Sequence, residues 1–99
     1  MSNALYQNSE TYLKRLLKDR LPTGSRFFLF GSRAQGTAGF AADIDIGIWP
    51  QEPLNDTTLS DLQEIIEDSF VPYHVDLVDF SKISNHFKQQ SLKKIIPWN

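Results

Sequence analysis

The sequence predicts a small α/β (α+β) domain in which at least three strands are backed by helices. Two stretches, 5–21 and 58–70, repeat apolar residues at helical spacing. Three short apolar runs, 26–30, 43–49 and 75–80, have the length and composition of strands, the second with strict alternation. Proline and glycine fall at the junctions between these segments.

In order, Leu5, Tyr12, Leu13, Leu16 and Leu17 define one face of a first helix, with Glu10, Lys14, Arg15, Lys18 and Asp19 on the others. Pro22 and Gly24 stop it. Its cations read as a solvated face rather than a nucleic-acid surface. Phe27 to Phe30 are apolar enough for a buried strand, and Gly31-Ser32 follows where a strand would turn into a short helical piece. Residues 37–42, small and glycine-bearing, form a loop before the second strand, 43–49. Pro50, Pro53, Asn55 and Asp56 mark a connection. Leu59, Leu62, Ile65, Ile66 and Phe70 then make the stripe of a helix ended by Pro72. A third strand runs over 75–80. Ile83, Phe87, Leu92, Ile95 and Ile96 mark a final helix that Pro97 closes.

Composition narrows the function. Ninety-nine residues suit one small domain, and 40% hydrophobic with 22% charged residues suits a globular, soluble one. A formal charge of -2 argues against a broad electrostatic grip on nucleic acid. The absence of cysteine removes disulfides and thiolate zinc sites and is compatible with a cytoplasmic setting. No basic-then-apolar leader and no membrane-length apolar run is visible.

The chemistry is concentrated in FFLFGSRAQGTAGFAADIDIGIW, residues 27–49. Asp43, Asp45 and Gly47 alternate with Ile44, Ile46 and Ile48, so both acids share one side of a strand. Like charges side by side cost stability. A divalent ion accounts for them, since Cα atoms two residues apart in a strand are about 6.6 Å apart, close enough for their carboxylates to share one or two ions. Asp76 and Asp79 point to opposite faces of the third strand. Asp76 lies inside the apolar run, where a carboxylate needs a partner, and becomes the third candidate ligand; Asp79 precedes Ser81 and suits a turn. Gly31 allows close backbone approach and Ser32 offers a hydroxyl and an amide to phosphate, while Arg33 either balances the phosphate charge or lies on the surface. His74 and His86 read as surface positions, Trp49 and Trp98 as packing residues, and Tyr6, Tyr12 and Tyr73 show no chemical context.

Gly31-Ser32, then ten residues, then Asp43-Ile44-Asp45, with Asp76 on a later strand, resembles the nucleotidyltransferases of the DNA polymerase beta superfamily, and above all their smallest members, the minimal nucleotidyltransferases (MNT). The likeness extends over nearly the whole chain, residues 1–99 forming a single catalytic domain. Ala42 departs from it, standing where members commonly carry serine; that position does not ligate metal. The resemblance implies a mixed sheet and transfer of a nucleoside monophosphate, AMP from ATP, with release of pyrophosphate. It implies two Mg²⁺ ions about 3.5 to 4 Å apart, bridged by Asp43 and Asp45. Asp76 would hold the ion beside the acceptor hydroxyl, and Gly31 and Ser32 would fix the outer phosphates.

Three functions follow from that resemblance. The first is an antitoxin enzyme that adenylylates a helical HEPN-type partner protein. The second is a small-molecule nucleotidyltransferase of the antibiotic-modifying type, against which the chain's shortness counts. The third is a nucleotide-binding module that neutralises a partner without turnover.

Overall fold

A computed structural model describes residues 4–99. In chain order the elements are α1 (Ala4–Arg20), β1 (Arg26–Phe30), α2 (Gly31–Gln35), β2 (Ile44–Trp49), α3 (Thr58–Glu67), β3 (Val75–Asp79), α4 (Asn85–Ser91) and β4 (Ile96–Pro97). The strands form one mixed sheet in the order β3-β2-β1-β4. β1 is antiparallel to β2 and to β4, whereas β2 and β3 run parallel. A parallel neighbour requires a crossover, and α3 supplies it between β2 and β3.

One face of the sheet is covered by α1 and α3. Leu13, Leu16 and Leu17 of the first helix and Leu62 and Ile66 of the second close over Phe27, Leu29, Ile44, Ile46, Ile48, Val75 and Leu77. The other face carries a smaller aromatic cluster of Phe28, Phe30 and Phe80, flanked by Val78, Ile83 and Ile95. Phe28, Phe30 and Phe80 meet edge to face with centroids 4.9 to 6.5 Å apart, a preferred arrangement for aromatic rings.

β3 is an edge strand, and one side chain satisfies two of its outward backbone groups. Gln63 of α3 donates from Nε2 to the Val75 carbonyl at 2.7 Å and accepts the Leu77 N–H at 3.1 Å. The amide thereby takes the place of a missing strand on either side of Asp76, blunting the open edge.

The structure corrects the end of the chain. The final helix spans only Asn85–Ser91, capped by the Ser84 hydroxyl, which accepts the Phe87 N–H. Ile96 and Pro97 leave it and pair with Leu29 and Phe28 as β4. The physical reason is the free edge of β1: a β-branched residue fits there, and proline is tolerated on an edge strand. Trp98 then packs into the main core, and Asn99 locks the return, accepting the Phe27 N–H at 3.0 Å and donating to the Ser25 carbonyl at 2.7 Å. The other boundaries shift slightly. β2 begins at Ile44 rather than Asp43, α2 begins at Gly31, and α3 ends before Phe70, whose ring instead meets Tyr12 at 5.3 Å.

Candidate active site

The candidate site lies where three chain segments reach the same end of the sheet. Because β1 runs antiparallel to β2, the last residue of β1 stands beside the start of β2, and Phe30 pairs with Asp45. Because β2 and β3 are parallel, their starts coincide, and Asp45 stands directly opposite Asp76. In-register neighbours project from the same face, so the two carboxylates share the side of the sheet away from α1 and α3. Asp43 lies just before the strand, exposed, in the loop that enters it. The sequence spacing therefore places Asp45 and Asp76 together through register, with Asp43 held one step outside regular structure.

The charges interact. Asp45 is half-buried, and its carboxyl is raised above the ordinary aspartate value, first by burial and then by the charges of Asp76 and Asp43. His74 pulls in the opposite direction. Among the described residues the ion pair is Lys14 with Glu10, on α1, so none of these three carboxylates is neutralised by a cationic side chain. Among the described residues no group of three His, Cys, Asp or Glu side chains is drawn into a ready-made metal cage. Oxygen donors gathered with no cationic side chain to neutralise them nevertheless match the donor chemistry of a hard divalent cation.

Gly31 opens α2 immediately after β1, with φ at 71°. A Cβ at this position would run into the Asp45 carboxylate. Glycine is required here twice, for its left-handed backbone and for the approach of Asp45. Ser32 follows, partly exposed; its carbonyl accepts the N–H groups of Gly36 and Thr37, closing α2. Its hydroxyl forms no hydrogen bond among the described residues and remains available at the same corner.

Arg33 is engaged within the chain. Its Nε and Nη2 donate to the carbonyls of Phe40, Ala42 and Asp43, and its guanidinium lies over the rings of Tyr6 and Tyr73. Asp79 is buried on the opposite face from Asp76, where Oδ1 accepts the N–H and the hydroxyl of Ser81. His74 is exposed, in keeping with its reading as a surface position, yet its charge acts on Asp45, and the two tyrosines, which showed no chemical context, meet Arg33. His74 stands two residues before Asp76, and that same-side spacing was the available signal. The tyrosines gave none, since they reach Arg33 only through the tertiary fold.

With this geometry in place, the polymerase beta nucleotidyltransferase family model matches residues 13–96. The chain belongs to that family. One relative, a probable protein adenylyltransferase MntA from Haemophilus influenzae, is 32% identical over 77 residues, which are 78% of this chain and 67% of the relative. Another, the protein adenylyltransferase MntA from Shewanella oneidensis, is 33% identical over 87% of this chain. The chain spans 61% of that relative's length. A crystal structure of a toxin-antitoxin with AMP-PNP is similar at a TM-score of 0.77 and 30% identity, over 91% of this chain and 72% of that one. A structure described as the tri-AMPylated Shewanella oneidensis HEPN toxin in complex with MNT antitoxin is similar at a TM-score of 0.73 and 27% identity, over 94% of this chain and 71% of that one.

Proposed function

We propose that this protein transfers AMP from ATP to a hydroxyl on a HEPN-type partner protein, acting as the antitoxin of a toxin-antitoxin pair in the cytoplasm. The observation that carries the proposal is the pairing of Asp45 with Asp76 in register, beside a glycine whose missing side chain makes room for the Asp45 carboxylate. The named relatives support the choice of AMP as the group transferred and of a protein as the acceptor.

Asp43, Asp45 and Asp76 would hold the divalent ions, two Mg²⁺ in the family's chemistry, whose charge offsets that of the triphosphate and lowers the cost of ionising the acceptor. The residues themselves do the positioning. Asp76 would stand beside the acceptor hydroxyl and accept its proton as the oxygen bonds to phosphorus. Gly31 and Ser32 offer backbone and hydroxyl donors to the β and γ phosphates, which turns the α phosphorus toward the acceptor. The acceptor oxygen bonds to the α phosphorus, the bond to the bridging oxygen breaks, and pyrophosphate leaves; no enzyme-bound covalent species is needed.

The test is transfer of label from α-labelled ATP to the co-purified partner in Mg²⁺. The expected result is a labelled partner with the wild type and loss of at least about a hundredfold in rate with Asp45→Asn. Tight binding of ATP and partner with no pyrophosphate released would replace this reading with that of a neutralising module without turnover.

A further inference from the structure

We propose that Arg33 is a positioning residue that clasps the loop leading into β2 and thereby fixes Asp43, and that it is not a phosphate ligand. Its Nη2 donates to the Ala42 carbonyl at 2.7 Å and to the Phe40 carbonyl at 3.3 Å, and its Nε donates to the carbonyls of Ala42 and Asp43, both at 3.2 Å. One planar group thus ties down three carbonyls of the segment that ends in the first candidate ligand. It reaches Asp43 through the main chain, which leaves the carboxylate free for a cation.

The guanidinium is itself held. Its Cζ lies 4.5 Å from the Tyr6 ring centroid and 4.9 Å from that of Tyr73, in the angle between two rings that meet edge to face at 5.8 Å. Tyr6 comes from α1, and Tyr73 from the segment that enters β3 three residues before Asp76. A single side chain of α2 therefore joins α1, the 37–43 loop and the approach to β3.

The loop needs such a clasp. Residues 37–42 are Thr-Ala-Gly-Phe-Ala-Ala, and their other hydrogen bonds are Thr37 to the Ser32 carbonyl and the Ala42 N–H to the Gly39 carbonyl at 3.2 Å. Chain this small and this sparsely bonded has much conformational entropy to lose on ordering. Arginine suits the task because its donors are fixed in one plane; lysine, a point charge on a flexible stem, cannot address three carbonyls and two rings together. Residues that orient metal ligands typically alter metal affinity by roughly ten- to a hundredfold when removed.

This inference rests on the metal role proposed for Asp43, and its test is chosen to separate the two. In the metal-free protein, amide hydrogen exchange over residues 38–43 is compared between wild type, Arg33→Ala and Arg33→Lys. Mn²⁺ affinity is read by water-proton relaxation without nucleotide, and KM for ATP is measured at saturating Mn²⁺. The clasp predicts faster loop exchange and Mn²⁺ binding weakened roughly tenfold in both variants, with lysine failing to rescue, while KM for ATP stays within about twofold. A rise in KM with loop exchange and Mn²⁺ affinity unchanged would make Arg33 a phosphate ligand and overturn the proposal. Faster exchange with unchanged Mn²⁺ affinity, or no change in any readout, would overturn it as well. If Arg33→Ala does not fold, Tyr6→Leu, which removes one wall of the cage, is expected to move loop exchange and Mn²⁺ affinity in the same direction by a smaller factor. Should Asp45→Asn bind Mn²⁺ as well as the wild type does, the metal reading itself fails, while loop exchange still reports on the clasp.

Discussion

The two faces of β2 are built from alternate residues of the same six-residue strand and serve opposite ends. Ile44, Ile46 and Ile48 are fully buried against the helices, each burial contributing about 1.5 to 3 kcal/mol. On the other face stand Asp45, beside the acidic Asp76, and Gly47, beneath the rings of Phe28 and Phe80. The isoleucine face stabilises the domain, and the stability gained there is what permits Asp45 and Asp76, uncompensated acids paired across two strands, on the opposite side. The contrast teaches that a strand with period 2 can keep its structural and chemical duties separate at no cost in length.

Exchanging the duties is the severest way to break that comparison. Ile46→Asp puts an unpaired carboxylate where no water reaches, and the protein is expected not to fold, as circular dichroism would show. The converse change, Asp45→Ile, is expected to fold and to have no transfer activity. Gly47→Ala is the next largest effect. Its Cβ would overlap the Phe28 and Phe80 rings, so a loss of about 1 to 3 kcal/mol in denaturant unfolding is expected, with the acids untouched.

The smallest effect sharpens the comparison most. A carboxyl whose folded pKa lies above its unfolded value binds its proton more firmly in the folded state. Its stability contribution is therefore fully present below the unfolded value and is lost as pH rises through the raised folded one. Asp45 is such a group, with an ordinary value of 3.8. In metal-free protein Asp45→Asn should accordingly match the wild type below that pH and exceed it at neutrality. Relief of like-charge repulsion of about 0.2 to 1 kcal/mol would appear as a rise of roughly 1 to 6 °C in Tm. A lower Tm for the variant at neutral pH would show that Asp45 belongs to the stabilising side of the strand.

Much of this arrangement was legible before any coordinates. The isoleucines and acids of 43–49 announce their faces by alternation, and the stripes of 5–21 and 58–70 announce helices, because both are local periodicities. β4 was not legible: Ile95 and Ile96 continue a helical spacing from Ile83 and Phe87, and only the unpaired edge of β1, distant in sequence, draws Ile96 and Pro97 into a strand. The site divides in the same way. Asp43, Asp45, Asp76 and Gly31 can be nominated from spacing and residue type. The partners of Arg33 cannot, since Tyr6 and Tyr73 reach it only after α1 and β3 have packed, and the carbonyls it binds carry no side-chain signature.

The proposed chemistry depends above all on Asp43, Asp45 and Asp76 acting as one cation site. A crystal grown with Mn²⁺ and a non-hydrolysable ATP analogue, with anomalous differences recorded, tests that directly. Manganese peaks bounded by these three carboxylates are expected, with the analogue's phosphates at Gly31 and Ser32. Manganese bound elsewhere, or phosphates seated away from Asp45 and Asp76, would contradict it.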